Sequence, residues 1–136
     1  MKPRAPILAL LLLLAGCAND STSSTLTEVQ RIRAGNLDVV VLSDDGTIKH
    51  GTDAFVLEFR SRGDQRLVDV GTVKINATMV MAGMPPMIGD TTVARTDTPG
   101  RYDVATALSM AGTWRVGLEW DGPAGRGTAA LQGSVQ

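Results

Sequence analysis

Cysteine, histidine and aromatic residues are all scarce in this chain of 136 residues, which has one cysteine, one histidine and five aromatic side chains. A single cysteine cannot form an intramolecular disulfide or the paired-thiolate zinc sites of small metal-binding domains. A single histidine argues against most zinc hydrolase sites and against a Ser-His-Asp triad. The net charge of −1 lacks the basic excess typical of nucleic-acid-binding proteins. We therefore expect neither an enzyme nor a nucleic-acid partner.

Long apolar runs are also missing, apart from one at the N-terminus. Residues 5–15 are apolar and follow Lys2 and Arg4, which is the pattern of a signal peptide. The run is shorter than the roughly 20 residues of a membrane-spanning helix. The residues that follow, Leu14-Ala15-Gly16-Cys17, resemble the lipobox of bacterial lipoproteins, whose cysteine receives a diacylglycerol group. We predict a signal peptide over residues 1–16 and lipidation of Cys17; the alternative is a plain secretory signal with an incidental cysteine.

Cleavage before Cys17 changes both the charge and the expected location of the chain. The exported part keeps 11 basic and 14 acidic residues, a net charge of −3. Acyl chains on Cys17 would attach it to a membrane. By resemblance to Gram-negative lipoproteins, Ala18 after the cysteine favours the outer membrane, facing the periplasm; in a Gram-positive cell the chain would lie on the outer face of the plasma membrane. We interpret residues 17–36 as a polar tether, in which 26–35 form a helical turn or two or only the tether's end.

From Leu37 onward the hydrophobic pattern has a period of two, with turn residues every 8 to 12 positions, which is typical of an all-β sandwich or barrel. We predict a domain over residues 37–136 with about seven strands and an immunoglobulin-like β-sandwich fold without the inter-sheet disulfide. The predicted strands are 37–42, 53–60, 73–81, 91–96, 102–110, 114–120 and 127–135.

Methionine is the unusual residue type among those that are present. Four of the six methionines lie within nine residues, in the sequence Met79-Val-Met81-Ala-Gly-Met84-Pro-Pro-Met87. Alternation directs Met79 and Met81 inward with Ile75, whereas prolines and glycines predict a loop that holds Met84 and Met87. Thioethers are soft, neutral ligands that suit Cu(I) and, by the same logic, Ag(I). Met81, Met84 and Met87 are therefore candidate metal ligands. Met110 is a fourth candidate, because it ends a later predicted strand and could lie close to them in space.

Other interpretations of these residues stay open. Methionine also fills gaps in apolar cores and forms adaptable docking surfaces, so the Met-Pro loop is a candidate protein-binding surface without a metal. His50 could add an imidazole ligand or be only a solvated turn residue. The acidic residues lack the spacing of an EF-hand calcium loop and are typical of turns. Trp114 and Trp120 have the phase of core residues. No nucleophile with a base to serve it is evident.

Several short motifs in a fixed order resemble the YtkA-like domain, which is related to the FixH group. They are Met81-Ala-Gly-Met84-Pro-Pro-Met87, Pro99-Gly100-Arg101-Tyr102 and Met110-Ala-Gly112-Thr-Trp114. The resemblance extends over roughly residues 37–135. Met81, Met84, Met87 and Met110 match methionines of the family, and Gly100, Tyr102, Gly112 and Trp114 match its structural positions. The sequence departs from the family in lacking the transmembrane segment of FixH proteins and histidines near the methionines.

The resemblance implies a small immunoglobulin-like sandwich outside the cytoplasmic membrane. Members of the family occur as lipoproteins and beside metal-efflux adaptors, which implies a role in handling copper or another heavy metal. The expected partners are the membrane, through the lipid, and a metal-efflux or oxidase-assembly protein. Cu(I) or Ag(I) is the expected ion.

Overall fold

The computed structural model describes residues 25–136, and every regular element in this range is a β-strand. The all-β class predicted from the sequence is confirmed, with one strand more than expected within the described range. The strands are β1 (Thr27–Ala34), β2 (Leu37–Ser43), β3 (Gly51–Ser61), β4 (Thr72–Met79), β5 (Met87–Arg95), β6 (Arg101–Leu108), β7 (Gly112–Gly122) and β8 (Gly125–Val135). The described residues contain no helix that is long and apolar enough to span a membrane.

The strands form one antiparallel sheet that folds over on itself, in the order β1-β2-β3-β6-β5-β4-β7-β8. The sheet bends over within β5, because residues Met87–Gly89 of this strand pair with β4 whereas Asp90–Arg95 pair with β6. A strand that changes partners in this way makes the corner between two packed layers. The result is a nearly closed barrel, compatible with the predicted sandwich, whose end strands β1 and β8 face each other across a seam.

Glycine is required at the corner for reasons of space. A Cβ on Gly89 would collide with the Leu108 side chain and would lie 3.2 Å from the Trp114 ring. Both side chains are buried, so neither can move without disturbing the core. The glycine at position 89 therefore lets β5 pass close to β6 and β7 as it changes partners.

The core lies between the two layers and follows the alternation seen in the sequence. Phe55, Leu57 and Phe59 of β3 are all buried, as are Trp114, Leu118 and Trp120 of β7. Phe59 is at the centre, in edge-to-face contact with the rings of Tyr102 and Trp120, an arrangement that favours aromatic packing. The buried Tyr102 hydroxyl donates a 2.7 Å hydrogen bond to the Gly71 carbonyl. The tryptophans thus have the core positions predicted for them.

The largest correction concerns the segment before residue 37. A helical turn or a tether end was expected for residues 26–35, but Thr27–Ala34 form strand β1, paired antiparallel with β2. A β-bulge between Glu28 and Gln30 breaks the alternation that would reveal a strand. Burial of Val29 and Ile32 against the core supplies the stabilisation. The sheet therefore begins ten residues before the expected domain start.

Two of the predicted loops also change. The segment 83–89 was expected to be a loop, but β5 already begins at Met87. The interval left between the predicted strands 114–120 and 127–135 shrinks to a two-residue turn between Gly122 and Gly125, where β7 and β8 pair directly. Conversely, β6 ends at Leu108, so Met110 lies beyond the strand in which it was placed.

Candidate functional site

The candidate site is one end of the barrel, here called the methionine end, formed by residues 79–88 and 109–112. The start of β1, the connection 44–50 and the C-terminus lie at the same end of the sheet. The large hydrophobic side chains that are exposed in residues 25–136 are all here: Val80, Met84, Ile88 and Met110. Exposed apolar side chains that lie together on one surface are typical of interaction sites.

A tight turn places Met84 at the tip. The Met84 amide donates a 3.3 Å hydrogen bond to the Met81 carbonyl, and Gly83 supplies the positive φ of 74° that a type II turn needs at its third residue. Pro85 and Pro86 follow and have no amide hydrogen with which to extend the sheet. Met84 is consequently 61% exposed, whereas Met81 is half-buried and packs against the smaller core cluster.

Met87 lies between the core and this turn. It is the first residue of β5 and is paired across the sheet with Met79, the last residue of β4. Its sulfur accepts a 2.9 Å hydrogen bond from the hydroxyl of Ser109. Met79 is itself buried in the smaller core cluster with Leu108 and Trp114. Met87 therefore joins the buried methionine to the exposed end.

Met110 approaches the same place from the connection between β6 and β7. It is one residue beyond Ser109, and its carbonyl accepts a 3.0 Å hydrogen bond from the Trp114 indole nitrogen. This bond fixes the backbone while the side chain remains 40% exposed. Gly112 has a φ of 140° and leaves room for the Met79 methyl group, with which a Cβ would collide. The structure thus places all four predicted ligands, Met81, Met84, Met87 and Met110, at one end of the sheet.

The four predicted ligands at this end offer neutral sulfur donors. Within residues 25–136, no three His, Cys, Asp or Glu side chains are grouped so as to hold a metal ion. His50 is exposed at the same end of the sheet, and its Nδ1 lies 2.8 Å from the Gln136 carbonyl oxygen. Cys17, the predicted lipidation site, lies outside the described residues.

The buried carboxylates belong to a separate cluster on the outer face of β2 and β3. Asp38 accepts hydrogen bonds from Gln65 and Arg31, and these bonds, with the Gln65 bond foremost, hold the pKa of Asp38 below its usual value. Glu58 is paired with Arg60 and lies 3.6 Å from Arg101. Since each carboxylate is paired with arginine, the cluster anchors the loop after β3 and offers no free acid-base pair.

Sequence reasoning found the methionines but missed their neighbours. Val80 and Ile88 are 77% and 78% exposed, although both lie in an apolar stretch that the sequence pattern assigns to a strand or its loop. Ser109 was also missed, because its contact with Met87 depends on the meeting of β5 and β6. One signal could have identified Val80 and Ile88 as exposed. It is the run of alternating methionine and valine at residues 79–81, which continues into a turn followed by two prolines.

Comparison with known protein families adds an independent finding to this geometry. The YtkA-like family profile matches residues 33–119, which is more than half of the chain. The chain belongs to the YtkA-like family. The matched range starts at the end of β1, finishes in β7 and includes the whole methionine end. A comparison with curated proteins finds no match.

Membership of the YtkA-like family confirms the resemblance drawn from the three short motifs. It supports an accessory or binding module as the general class of this domain. The ligand and partner of the module are argued below from its own residues.

Proposed function

We propose that this YtkA-like domain is an exported, lipid-anchored module that binds Cu(I) or Ag(I) through methionine sulfurs and passes the ion to a membrane-associated partner. The observation that carries this proposal is the position of Met87, between buried Met79 and the exposed end, with its sulfur accepting the Ser109 hydrogen bond. The thioethers of Met81, Met84, Met87 and Met110 would supply the ligands.

The chemistry of the site supports a soft monovalent ion. Thioethers stay uncharged, so they favour Cu(I) or Ag(I) over hard divalent cations, which take oxygen ligands. The Met81–Met84 turn ends in two prolines, which restrict the backbone near Met84. Partial exposure of Met84 and Met110 leaves a route for an ion to enter and leave. These features favour transfer of an ion over its permanent storage.

The start of β1 adds a geometric argument. Strand β1 begins at Thr27 at the methionine end, ten positions beyond Cys17. Ten residues span at most about 35 Å when fully extended. A lipid on Cys17 would therefore keep the methionine end within reach of the membrane surface, where a metal-efflux or oxidase-assembly partner would be met.

A titration with Ag(I), or with Cu(I) under reducing conditions, tests the metal. We expect the double variant Met84→Leu/Met87→Leu to bind at least about tenfold more weakly, which is about 1.4 kcal/mol. The matched control is Val80→Leu/Ile88→Leu, which changes two apolar side chains at the same end and removes no sulfur. Equal affinities of the wild type and the methionine variant would overturn the proposal.

A second function is favoured by Val80 and Ile88, which are exposed but cannot ligate a metal. They indicate that the same end is an apolar docking surface for the partner. The variant Val80→Ser/Ile88→Ser keeps every sulfur and removes the apolar contact. If docking is the function, this variant loses the partner in a pull-down carried out with a metal chelator present, whereas Met84→Leu/Met87→Leu retains it.

A further inference from the structure

A cavity of about 310 Å³ lies inside the barrel, between the two layers of the sheet. All eight strands contribute to its wall, and none of the residues that line it is charged. Protein interiors are close-packed, and voids much larger than a water molecule are few. A space of this size in a domain of this length therefore needs an explanation.

The wall of the cavity is mostly hydrocarbon and aromatic. Phe55, Leu57 and Trp114 form part of it. Two threonines also line it, but their hydroxyl protons are already used within the sheet. Thr91 donates to the Ile75 carbonyl at 3.0 Å and Thr106 to the Asp53 carbonyl at 3.4 Å. Water needs several polar partners in a buried site, so this interior favours an apolar occupant.

The cavity reaches the surface at the seam between β1 and β8. Gln132 and Ser134 of β8 line the cavity and are also exposed to solvent. A 3.4 Å hydrogen bond from the Gln30 side chain to the Gln132 carbonyl crosses the seam. Because β1 and β8 are the two end strands of the sheet, parting them below the Ile48–Val135 bridge, which holds the C-terminal end of β8, breaks no pairing between neighbouring strands. The seam is thus the natural entrance.

The bulge in β1 equips this entrance with a polar group. Val29 has no partner in β2, since the register shifts between Glu28 and Gln30. Val29 and Gln30 both line the cavity as a result, whereas regular alternation would direct one of them outward. Bulges commonly redirect a side chain beside a functional site. The unpaired residue here is Val29, and beside it Gln30, which keeps the inward phase of Ile32 and Ala34, carries an amide that can donate or accept a hydrogen bond.

We propose that the cavity binds a small, neutral, largely apolar molecule that enters through the β1–β8 seam and presents one hydroxyl or carbonyl group to Gln30. An engineered apolar cavity of about 150 Å³ binds benzene, so twice that volume holds roughly twelve non-hydrogen atoms. Ionised molecules are excluded because the wall offers no opposite charge to offset their loss of hydration. The site is separate from the methionine sulfurs and needs no metal.

The test uses the purified chain in buffer with a metal chelator, so that its outcome is independent of metal binding. Benzene and 1-hexanol are the probes, and the readouts are the thermal unfolding midpoint and tryptophan fluorescence, since Trp114 lines the cavity. We expect both probes to raise the midpoint in a saturable way. The absence of a saturable response to either probe, up to its solubility, would overturn the proposal.

Two variants locate the binding. Val116→Phe places a ring in the cavity and is expected to weaken the response to both probes, whereas Arg115→Phe places the same ring on the exposed face of β7 and should leave it unchanged. An unchanged response in Val116→Phe contradicts the proposal.

If Val116→Phe does not fold, the variant Gln30→Ala tests probe binding at the entrance instead. We expect Gln30→Ala to weaken 1-hexanol binding by about threefold to tenfold, the usual range for one hydrogen bond, with benzene binding unaffected. Equal effects on the two probes, or none on either, would contradict the role of Gln30.

Discussion

Met87 and Met79 lie directly opposite each other where β5 first pairs with β4. One of the two is buried and the other half-buried, so the pair marks the boundary between the core and the methionine end. Methionines that lie only two or three residues apart in the sequence consequently have different physical roles. Packing requires Met79, whereas Met84, three residues before Met87, is free to contact a ligand or a partner.

Truncation of these methionines should separate the two roles. Met79→Ala removes a side chain that is only 7% exposed and should lower the free energy of unfolding by about 2–5 kcal/mol. Met84→Ala, at a position that is 61% exposed, should change it by less than about 0.5 kcal/mol. Chemical denaturation of both variants measures the difference. Similar losses in the two variants would contradict this division.

The corner in β5 makes a second prediction. Gly89→Ala should lower the free energy of unfolding by about 1–3 kcal/mol, because the new methyl group overpacks the contact with Leu108 and Trp114. The matched control is Gly63→Ala, where the nearest atom to a new Cβ is Ser61 Oγ at 3.9 Å; that change should be neutral or stabilising by up to about 1 kcal/mol. Equal unfolding midpoints of the two variants would show that the corner can accommodate the added methyl group.

Acidification should destabilise the connection between β2 and β3 through Asp45. Hydrogen bonds from Lys49 first, and then from Thr47, lower the pKa of Asp45 from 3.8 to about 2. The unfolded chain therefore binds more protons than the folded chain between these values, so this contribution to stability is present above about pH 4 and is lost as the pH falls toward 2.

The dependence of the unfolding midpoint on pH tests this contribution. In Asp45→Asn the midpoint should fall less steeply between pH 4 and 2 than in the wild type. Asp44→Asn, which changes the neighbouring exposed carboxylate, is the control. If the unfolding midpoint of Asp45→Asn falls with pH as steeply as that of the wild type, Asp45 does not contribute to the loss of stability in acid.

Attachment to the membrane is predicted to depend on Cys17. Cys17→Ser should move the exported chain from the membrane fraction to the soluble fraction, because a serine cannot receive the thioether-linked lipid. Cell fractionation with detection of the chain measures this, and Asn19→Ser provides a control in the same polar segment. Retention of Cys17→Ser in the membrane would point to a different mode of attachment.

Several of the strands that the sequence predicted share a regular alternation over at least six residues, whereas β2 was predicted as a short apolar run ended by a turn. β3, β4 and β7 were identified because one face of each packs on the core and the other meets solvent. β1 escaped detection because its bulge disrupts the alternation at Val29. The start of β5 escaped because prolines precede Met87 and because its partner β4 is specified only in the folded chain.

The same limit applies to the candidate site. The four methionine positions follow from the sequence, but the exposure of Val80 and Ile88 and the Ser109 contact do not. These depend on where β4, β5 and β6 end relative to one another. The ends of strands and the corner in β5 are set by packing between residues that are distant in the sequence, which a local sequence pattern does not reveal.

The alternating pattern therefore determined the all-β class, and three short motifs indicated the family. The scarcity of cysteine and histidine left methionine sulfur as the donor to propose. The tertiary structure alone decided that β1 completes the sheet, that β5 turns the corner at Gly89 and that the methionines meet at one end. It also decided that a cavity remains inside. Alternation specifies which face of a strand is buried, whereas the partner of that face is chosen by the packing of the whole chain.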